Sequence, residues 1–309
     1  MKPDAIRIYE VSPRDGLQNE SQVVPTEVKV ALIARLVAAG IKDIEVSSFV
    51  RANWIPQLSD AADVVRQLPA VEGVRYWGLV PNRVGLERAI SVGIRHVATF
   101  MSASETHNQK NLNRTRAESL ANLAEVIGTA RDEGVRVRSY ISTAFGCPYE
   151  GEVSDRKVLD VALALRDSGA DEIVLSDTVG MGNPRQVRRL IEACVDSGLP
   201  MDSLSLHMHD TRGTALPNAL AAWDLGLRTF DGSIAGVGGC PYAPGATGNV
   251  ATEDLVNMFE AMGVHTGVDL ELASEAGVFL AEALGRSLPG RYHRFHVGSQ
   301  SRRASARSA

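Results

Sequence analysis

Two histidines spaced two residues apart are the side chains in this sequence best suited to chemistry. His207 and His209 lie in "LSLHMHD", an apolar segment typical of a β-strand. Side chains at positions i and i+2 of a strand point to the same face, so we expect the two imidazoles to project together. Neutral imidazoles suit a range of divalent metal ions. The spacing therefore predicts half of a metal site; a pair of hydrogen-bonded core histidines is the alternative interpretation.

Two oxygen donors are candidates to complete this site. Asp15 follows the first apolar segment of the chain and supplies a carboxylate, and Asn249 supplies a neutral amide oxygen. Two imidazoles and two oxygens leave two positions open on an octahedral ion, which fits Mg²⁺ or Mn²⁺ with substrate oxygens as the remaining ligands. A closed structural zinc site is disfavoured, because no CxxC pair accompanies the histidines.

A glycine-rich segment contains the third candidate, the thiol of Cys240. Five glycines fall within 13 residues: Gly236, Gly238, Gly239, Gly245 and Gly248. Such a loop adopts backbone angles closed to other residues. A cysteine on a mobile loop above a metal site is suited to deliver a proton when the loop closes. The alternative is a surface loop with an incidental thiol.

The elements that position these residues alternate along the chain. Short β-branched or aromatic segments, each followed by apolar residues at three- and four-residue spacing, predict eight βα units between residues 6 and 262. The predicted strands are Ile6–Ser12, Asp43–Phe49, Arg75–Val80, His96–Ser102, Arg136–Thr143, Glu172–Asp177, Ser205–Asp210 and Thr229–Ala235. The predicted helices are Thr26–Ala39, Ala117–Glu133, Ser154–Ser168, Pro184–Ser197, Thr214–Leu225 and Thr252–Met262.

This pattern predicts an α/β fold, a single (β/α)8 TIM barrel with an additional C-terminal helix at Asp269–Leu284. A doubly wound open sheet is the alternative, but no strand–helix junction has a GxGxxG phosphate loop. We expect residues 1–285 to form the catalytic barrel domain. Residues 286–309, which are basic and end in "GSQSRRASARSA", are expected to be a disordered tail.

Composition excludes several classes of protein. The chain has 309 residues, 44% of them hydrophobic, and a net charge of −5, which disfavours binding to nucleic acid. Three cysteines do not form a disulfide framework, so a cytoplasmic location is expected. No apolar segment reaches the ~18–20 residues that span a bilayer, so no membrane association is expected.

Polar residues at the strand ends support a catalytic barrel, because active sites of this architecture lie at the carboxyl ends of the strands. Besides the candidates above, four charged residues lie on or at the ends of predicted strands: Arg14, Glu45, Arg138 and Asp177. A single charge at a strand end is usually a cap or a surface residue. Six polar strand ends that meet at one rim instead indicate a site.

Six segments of the chain resemble the 3-hydroxy-3-methylglutaryl-CoA (HMG-CoA) lyase family. They are "VSPRDGLQNE", "IEVSSFV", "GCPYEG", "LSDTVGMGNP", "HMHDTRG" and "GVGGCPYAPGATGNVATEDLV". The resemblance extends from about Ile6 to Leu284. Isopropylmalate and homocitrate synthases are similar in the arginine–aspartate strand end and the HxH pair. They lack the cysteine loop, which favours cleavage over condensation.

The resemblance implies a retro-Claisen cleavage of an acyl-CoA. A divalent ion, Mg²⁺ or Mn²⁺, would be bound by Asp15, His207, His209 and Asn249. Asp15 or His207 would accept the hydroxyl proton, Arg14 would stabilise the enolate of acetyl-CoA, and Cys240 would protonate that enolate. Glu45 and Asp177 would orient the arginine, the ligands or the reacting proton, with Arg138 as a further charge. The family also implies a homodimer and a role in leucine degradation.

Three departures from the family pattern leave the acyl group open. Ser21 stands where lysine is common, "RANWIPQLSD" replaces the usual start of the second loop, and "ALGRSLPGRYHRF" follows the last predicted helix. A lyase for citramalyl-CoA, which is one carbon shorter, would use the same residues. Two further hypotheses are an isopropylmalate-type synthase and a non-catalytic barrel that binds a metal or an acyl-CoA.

Overall fold

Eight parallel strands form a closed barrel in the computed structural model, which describes residues 5–51, 53–239 and 248–307. Each strand pairs with its sequence neighbours, and the first pairs with the last in the register Arg7↔Thr229 to Glu10↔Gly232. The predicted α/β barrel is confirmed. Because all strands run in parallel, their carboxyl ends meet at one rim, where the candidate residues are expected.

The strands agree closely with the prediction. They are β1 (Arg7–Glu10), β2 (Asp43–Ser48), β3 (Arg75–Leu79), β4 (His96–Ser102), β5 (Arg136–Ser142), β6 (Glu172–Asp177), β7 (Leu204–Met208) and β8 (Thr229–Gly232). β1 and β8 end two and three residues earlier than predicted. The chain leaves the sheet there in helical turns at Ser12–Gly16 and Ile234–Gly236, and both turns face the site.

Helices surround the barrel and continue to the C-terminus. They are α1 (Thr26–Ala38), α2 (Ala61–Gln67), α3 (Arg83–Ser91), α4 (Glu105–Leu112), α5 (Arg116–Asp132), α6 (Asp155–Asp167), α7 (Pro184–Asp196), α8 (Ala215–Asp224), α9 (Thr252–Ala261), α10 (Leu270–Leu284) and α11 (Arg291–Arg307). The six predicted βα-unit helices are present within two residues at each end. The bounds of α2, α3 and α4, which are short, were not predicted; α4 in particular, "ETHNQKNL", has no apolar periodicity to reveal it.

The core lies between the strands and the helices. Outward-facing strand residues such as Ile44 and Val46 pack with helix residues such as Leu32 and Leu36. The inside of the barrel differs, because many of the inward-facing side chains are buried and polar. Burying a charge is costly unless it is paired and hydrogen-bonded. The interior polar residues must therefore form a connected network.

Arg138 is at the centre of that network. Its guanidinium is fully buried, lies 2.8 Å from an Asp231 oxygen and 3.1 Å from a Glu172 oxygen, and stacks 3.5 Å from the ring centroid of Tyr9. Burial lowers the pKa of this guanidinium, but Asp231 first and then Tyr140 and Glu172 raise it well above its ordinary value. The arginine therefore remains charged and balances two buried carboxylates.

Replacing Arg138 with methionine should lower the free energy of unfolding by about 3–5 kcal/mol, because the buried Asp231 and Glu172 carboxylates lose their fully buried cationic partner. Arg136→Met is the matched control, since Arg136 belongs to the same strand but its side chain is 64% exposed. That variant should change stability by less than about 1 kcal/mol. Urea unfolding of both variants measures the difference, and equal losses would contradict the assigned role of Arg138.

The C-terminal region contains one confirmed and one wrong prediction. The predicted helix at Asp269–Leu284 is observed as α10. The expected disordered tail instead contains α11, in which His293 and His296 are buried. The carboxylate of Asp254 accepts the backbone N–H groups of Arg291 and Tyr292, which caps the start of this helix. The basic, polar composition of residues 286–309 does not reveal these contacts. Within the described ranges, no helix is both long and apolar enough to cross a bilayer.

Candidate metal centre and active site

Three of the four predicted ligands meet at the carboxyl rim of the barrel. One ligand atom each from Asp15, His207 and His209 lies within 4.8 Å of the others. The two imidazole centroids are 5.3 Å apart, as expected for positions i and i+2 of β7. Asp15 comes from the helical turn after β1, on the strand that closes the barrel with β8. The structure thus brings these three candidate ligands together.

Asn249, the fourth predicted ligand, is adjacent to the cluster. Its backbone pairs with that of His209 in an isolated β-bridge. Its Nδ2 donates to Asp15 Oδ2 at 2.8 Å and to the carbonyl of Val237 at 3.3 Å. These two bonds fix which way the amide faces. They leave Oδ1, the atom that would bind a cation, without a partner among the described residues.

Two buried polar atoms in this cluster have no hydrogen-bond partner among the described residues: Asn249 Oδ1 and His209 Nδ1. An unsatisfied buried polar atom costs about 1–3 kcal/mol, so it needs an explanation. A divalent ion at the cluster would satisfy the amide oxygen. Two imidazoles, a carboxylate and an amide oxygen are also ligands that Mg²⁺ and Mn²⁺ accept. The side chains present therefore fit a divalent metal ion.

Electrostatics keep the ligands in their metal-binding forms. Burial raises the pKa of Asp15, but Arg14 and then the two histidines outweigh burial and lower it to about 2. Burial and the neighbouring His207 lower the pKa of His209 to about 4. At neutral pH the site therefore has an ionised carboxylate and a neutral imidazole at His209. Metal binding requires these protonation states.

The metal-free protein should lose stability as the pH falls from 6.5 to 4, partly because of His209. Its pKa is 6.5 in the unfolded chain and about 4 when folded, so the unfolded state binds more protons over this range. The contribution is present above pH 6.5 and falls by about 3 kcal/mol by pH 4. Urea unfolding with a chelator should show a shallower pH dependence for His209→Gln. The exposed-site variant His265→Gln should behave like the wild type, and a wild-type slope in His209→Gln would refute the assignment.

Arg14 lies beside the cluster and is oriented by Glu45. The Nε of Arg14 donates to Glu45 Oε1, and one terminal nitrogen donates to Asp15. Glu45 Oε2 also accepts the hydroxyls of Tyr9 at 2.8 Å and Tyr140 at 3.0 Å. Burial lowers the pKa of the Arg14 guanidinium, but Glu45 and Asp15 raise it above its ordinary value. A fixed positive charge therefore stands next to the metal ligands.

His207 is held by Asp231, an aspartate that the sequence did not reveal as a site residue. The Nδ1 of His207 lies 3.1 Å from Asp231 Oδ2, which leaves Nε2 as the ring nitrogen for a ligand bond. Asp231 also accepts from Arg138 and from the Tyr140 hydroxyl. Burial raises the pKa of Asp231, but Arg138 and His207 lower it overall. The sequence signal that could have identified Asp231 is the presence of an acidic residue inside the short strand "TFDG". Arg138 is thus connected to His207 through Asp231.

Asp177 binds the backbone of the loop that follows β6. Its carboxylate accepts the backbone N–H groups of Met181 at 2.8 Å and Gly182 at 2.7 Å. It therefore caps the loop after β6, and burial raises its pKa despite these bonds. Its backbone carbonyl accepts the N–H of His209 at 3.1 Å. Asp177 is thus connected to the site through the main chain.

Two of the three cysteines are buried, and the third falls outside the described ranges. Cys240, the predicted proton donor, is the one that lies outside the described residues. Cys147 is buried, with its sulfur 3.1 Å from the Ser104 hydroxyl and accepting backbone N–H groups, which is a structural role. Burial raises the pKa of Cys194 to about 12, which agrees with simple helix packing.

A cavity of about 300 Å³ opens above the cluster. Arg14, Asp15, His207 and His209 line it together with Tyr140. Its remaining wall combines apolar and polar side chains, including Val50, Trp54, Ile55, Phe100, Asn111 and Thr178. A charged floor under a partly apolar wall is typical of a small-molecule site.

A (β/α)8 barrel with two histidines, an aspartate and an asparagine at its carboxyl rim defines a class of metal-binding barrels. The model of the family described as HMGL-like matches residues 5–278. The chain is 47% identical over 289 residues to the hydroxymethylglutaryl-CoA lyase YngG of Bacillus subtilis, covering 94% of this chain and 96% of that protein. It is 45% identical to the cytoplasmic 3-hydroxy-3-methylglutaryl-CoA lyase of Mus musculus, covering 92% and 83%.

Solved structures agree with the sequence comparison. The HMG-CoA lyase of Acinetobacter baumannii, solved with coenzyme A and 3-methylmalate, superimposes with a TM-score of 0.91 at 39% identity. That match covers 95% of this chain and 96% of the other. The chain belongs to the HMGL-like family, and it is a lyase.

Proposed function

We propose that this lyase cleaves HMG-CoA to acetoacetate and acetyl-CoA with the help of Mg²⁺ or Mn²⁺. The observation that carries the proposal is the convergence of Asp15, His207, His209 and Asn249 with the Arg14 guanidinium on one cavity. An acyl-CoA substrate is further supported by the relative solved with coenzyme A. The ion, when bound, supplies positive charge that makes the substrate hydroxyl more acidic.

We assign the proton-accepting role to Asp15 rather than to His207. The Nδ1 of His207 is engaged by Asp231, and Nε2 is its remaining nitrogen for a ligand bond. A carboxylate has enough lone pairs to act as a ligand and still accept a proton. Its low pKa makes it a weak base, so removal of the proton depends on the acidity that the ion gives to the hydroxyl. Glu45 takes no proton in this scheme; it orients Arg14.

Loss of the hydroxyl proton drives cleavage of the adjacent carbon–carbon bond. The electron pair of that bond moves to the departing acetyl-CoA carbon and forms an enolate, while the hydroxyl carbon becomes the ketone of acetoacetate. Arg14 would stabilise the enolate oxygen, since Glu45 fixes its guanidinium and the side chain lines the cavity. Cys240 then donates a proton to the enolate carbon, which balances the proton taken at the start.

Cys240→Ala should lower turnover by at least about 10²-fold, because a positioned general acid typically contributes that much. The variant should still bind Mn²⁺, measured by elemental analysis of the purified protein. Cys194→Ala is the matched control, because this thiol is buried in α7, and it should retain wild-type turnover. His207→Ala should instead lose the metal. Wild-type turnover in Cys240→Ala would remove the thiol from the mechanism.

Citramalyl-CoA, which would give pyruvate and acetyl-CoA, is the alternative substrate. We retain it because of Ser21, which stands where the family commonly has lysine. Ser21 follows Glu20, whose carboxylate pairs with Arg286 and whose carbonyl accepts Gln57 Nε2 at 2.7 Å. Arg286, from the C-terminal segment, thus supplies a positive charge next to Glu20. An isopropylmalate-type synthase is disfavoured by the cysteine loop.

In side-by-side assays, kcat/KM for HMG-CoA, measured as acetoacetate, should be at least ten-fold higher than kcat/KM for citramalyl-CoA, measured as pyruvate. Acetyl-CoA release from both should require the metal. Arg286→Ala should raise KM for the preferred thioester while leaving kcat nearly unchanged, because Arg286 pairs with Glu20, whose neighbours Gln18 and Asn19 line the cavity. Preferential formation of pyruvate would transfer the assignment to citramalyl-CoA.

Location and assembly complete the proposal. We place the protein in the cytoplasm, since three cysteines without a disulfide framework suit a reducing compartment. We also expect a homodimer and a role in leucine degradation, both of which rest on the family resemblance. Light scattering of the purified protein tests the dimer.

A further inference from the structure

A strained turn after β8 lies directly behind the metal cluster. Ala235, which is fully buried, has a φ of +52°, in the left-handed region that favours glycine. A non-glycine residue stays in that region only where its surroundings enforce the conformation. The contacts of Ala235 therefore show what enforces it.

Both backbone groups of Ala235 are held by later parts of the chain. Its N–H donates to the Glu253 carboxylate at 2.8 and 3.0 Å. Its carbonyl accepts the N–H of Gly290, the residue just before α11, at 2.8 Å. A Cβ atom on Gly290 would lie 2.9 Å from the Ala235 carbonyl carbon and 3.0 Å from its oxygen. The close approach therefore requires glycine at 290.

Helix α11 is fixed in turn against α9 and α10. Asp254 of α9 accepts the first backbone N–H groups of α11. The buried His293 faces Gly277 of α10, where an added Cβ would lie 3.0 Å from His293 Nδ1 and 3.3 Å from the Ala235 Cβ. Three helices thus converge on one residue, and the turn has little freedom to relax.

The front of the same turn contacts the metal cluster. The Val237 carbonyl, two residues after Ala235, accepts Asn249 Nδ2 at 3.3 Å and the Ser233 hydroxyl at 2.7 Å. With Nδ2 held by Val237 and Asp15, the Oδ1 of Asn249 is left without a hydrogen-bond partner among the described residues. A shift of the Val237 carbonyl would remove one of the two bonds that orient the amide.

We propose that the C-terminal segment is a positioning element of the metal centre: Gly290 binds the Ala235 turn, and the buried His293 packs against Gly277 beside it, so that Val237 orients the Asn249 amide and leaves its Oδ1 free for the ion. The inference rests on the metal site of the proposed function. It gives a role to the segment that composition had indicated to be a disordered tail. Gly290 touches neither substrate nor metal and acts only through the turn.

Mn²⁺ titration monitored by electron paramagnetic resonance tests the proposal directly. Gly290→Ala should weaken Mn²⁺ binding at least ten-fold, and turnover at limiting Mn²⁺ should fall but recover as Mn²⁺ is raised. Gly298→Ala is the matched control in the same helix, because a Cβ there meets no atom within 4 Å. It should bind Mn²⁺ like the wild type.

The outcomes are separable. A folded Gly290→Ala protein with wild-type Mn²⁺ affinity overturns the inference, even if its melting temperature is lower. A wild type that binds no Mn²⁺ overturns the proposed metal site and this inference with it. If circular dichroism shows that Gly290→Ala does not fold, His293→Asn is titrated in its place. That variant should bind Mn²⁺ several-fold more weakly, and unchanged binding overturns the inference equally.

Discussion

The interaction between the Asp15 carboxylate and the Arg14 guanidinium is the one on which the site depends. Asp15 contacts both histidine ligands electrostatically and accepts a hydrogen bond from Asn249, while Arg14 continues into the barrel through Glu45. A carboxylate this buried would otherwise take up a proton. The adjacent arginine prevents this and keeps the ligand ionised. The same contact holds the guanidinium next to the cavity.

From this pair a continuous polar network extends toward the amino-terminal end of the barrel. The Tyr140 hydroxyl lies 3.0 Å from both the Glu45 and the Asp231 carboxylate, and Asp231 pairs with both His207 and Arg138. Each buried carboxylate on this path is paired with an arginine, Glu45 with Arg14 and Asp231 with Arg138. Such a network adds little net stability compared with an apolar interior. The network instead orients the site, because Asp231, which binds His207, is itself bound by Arg138, and Arg14, which binds Asp15, is itself bound by Glu45.

The sequence predicted the parts of the site that local patterns control. His207 and His209 share a face because strand geometry has a period of two residues, and Asp15 joins them because parallel strands end at one rim. Asp231 was missed because one acidic residue in a four-residue strand reads equally well as a turn residue. Asp177 shows the reverse case: a strand-end carboxylate was expected in the site, but the backbone of the following loop binds it. Which groups a carboxylate meets is decided by tertiary packing.

The C-terminal segment shows the same limit more strongly. Its composition is that of a solvated tail, yet contacts with Asp254, Ala235 and Glu20 connect it to α9, to the turn after β8 and to the entrance of the cavity. None of these contacts follows a local periodicity, since each joins residues far apart in the chain. Elements from both ends of the sequence surround the four candidate metal ligands. Arg286 is not among the residues that line the cavity. Substitutions at the entrance can therefore change which thioester is accepted without moving a metal ligand, which separates substrate choice from the bond-breaking chemistry.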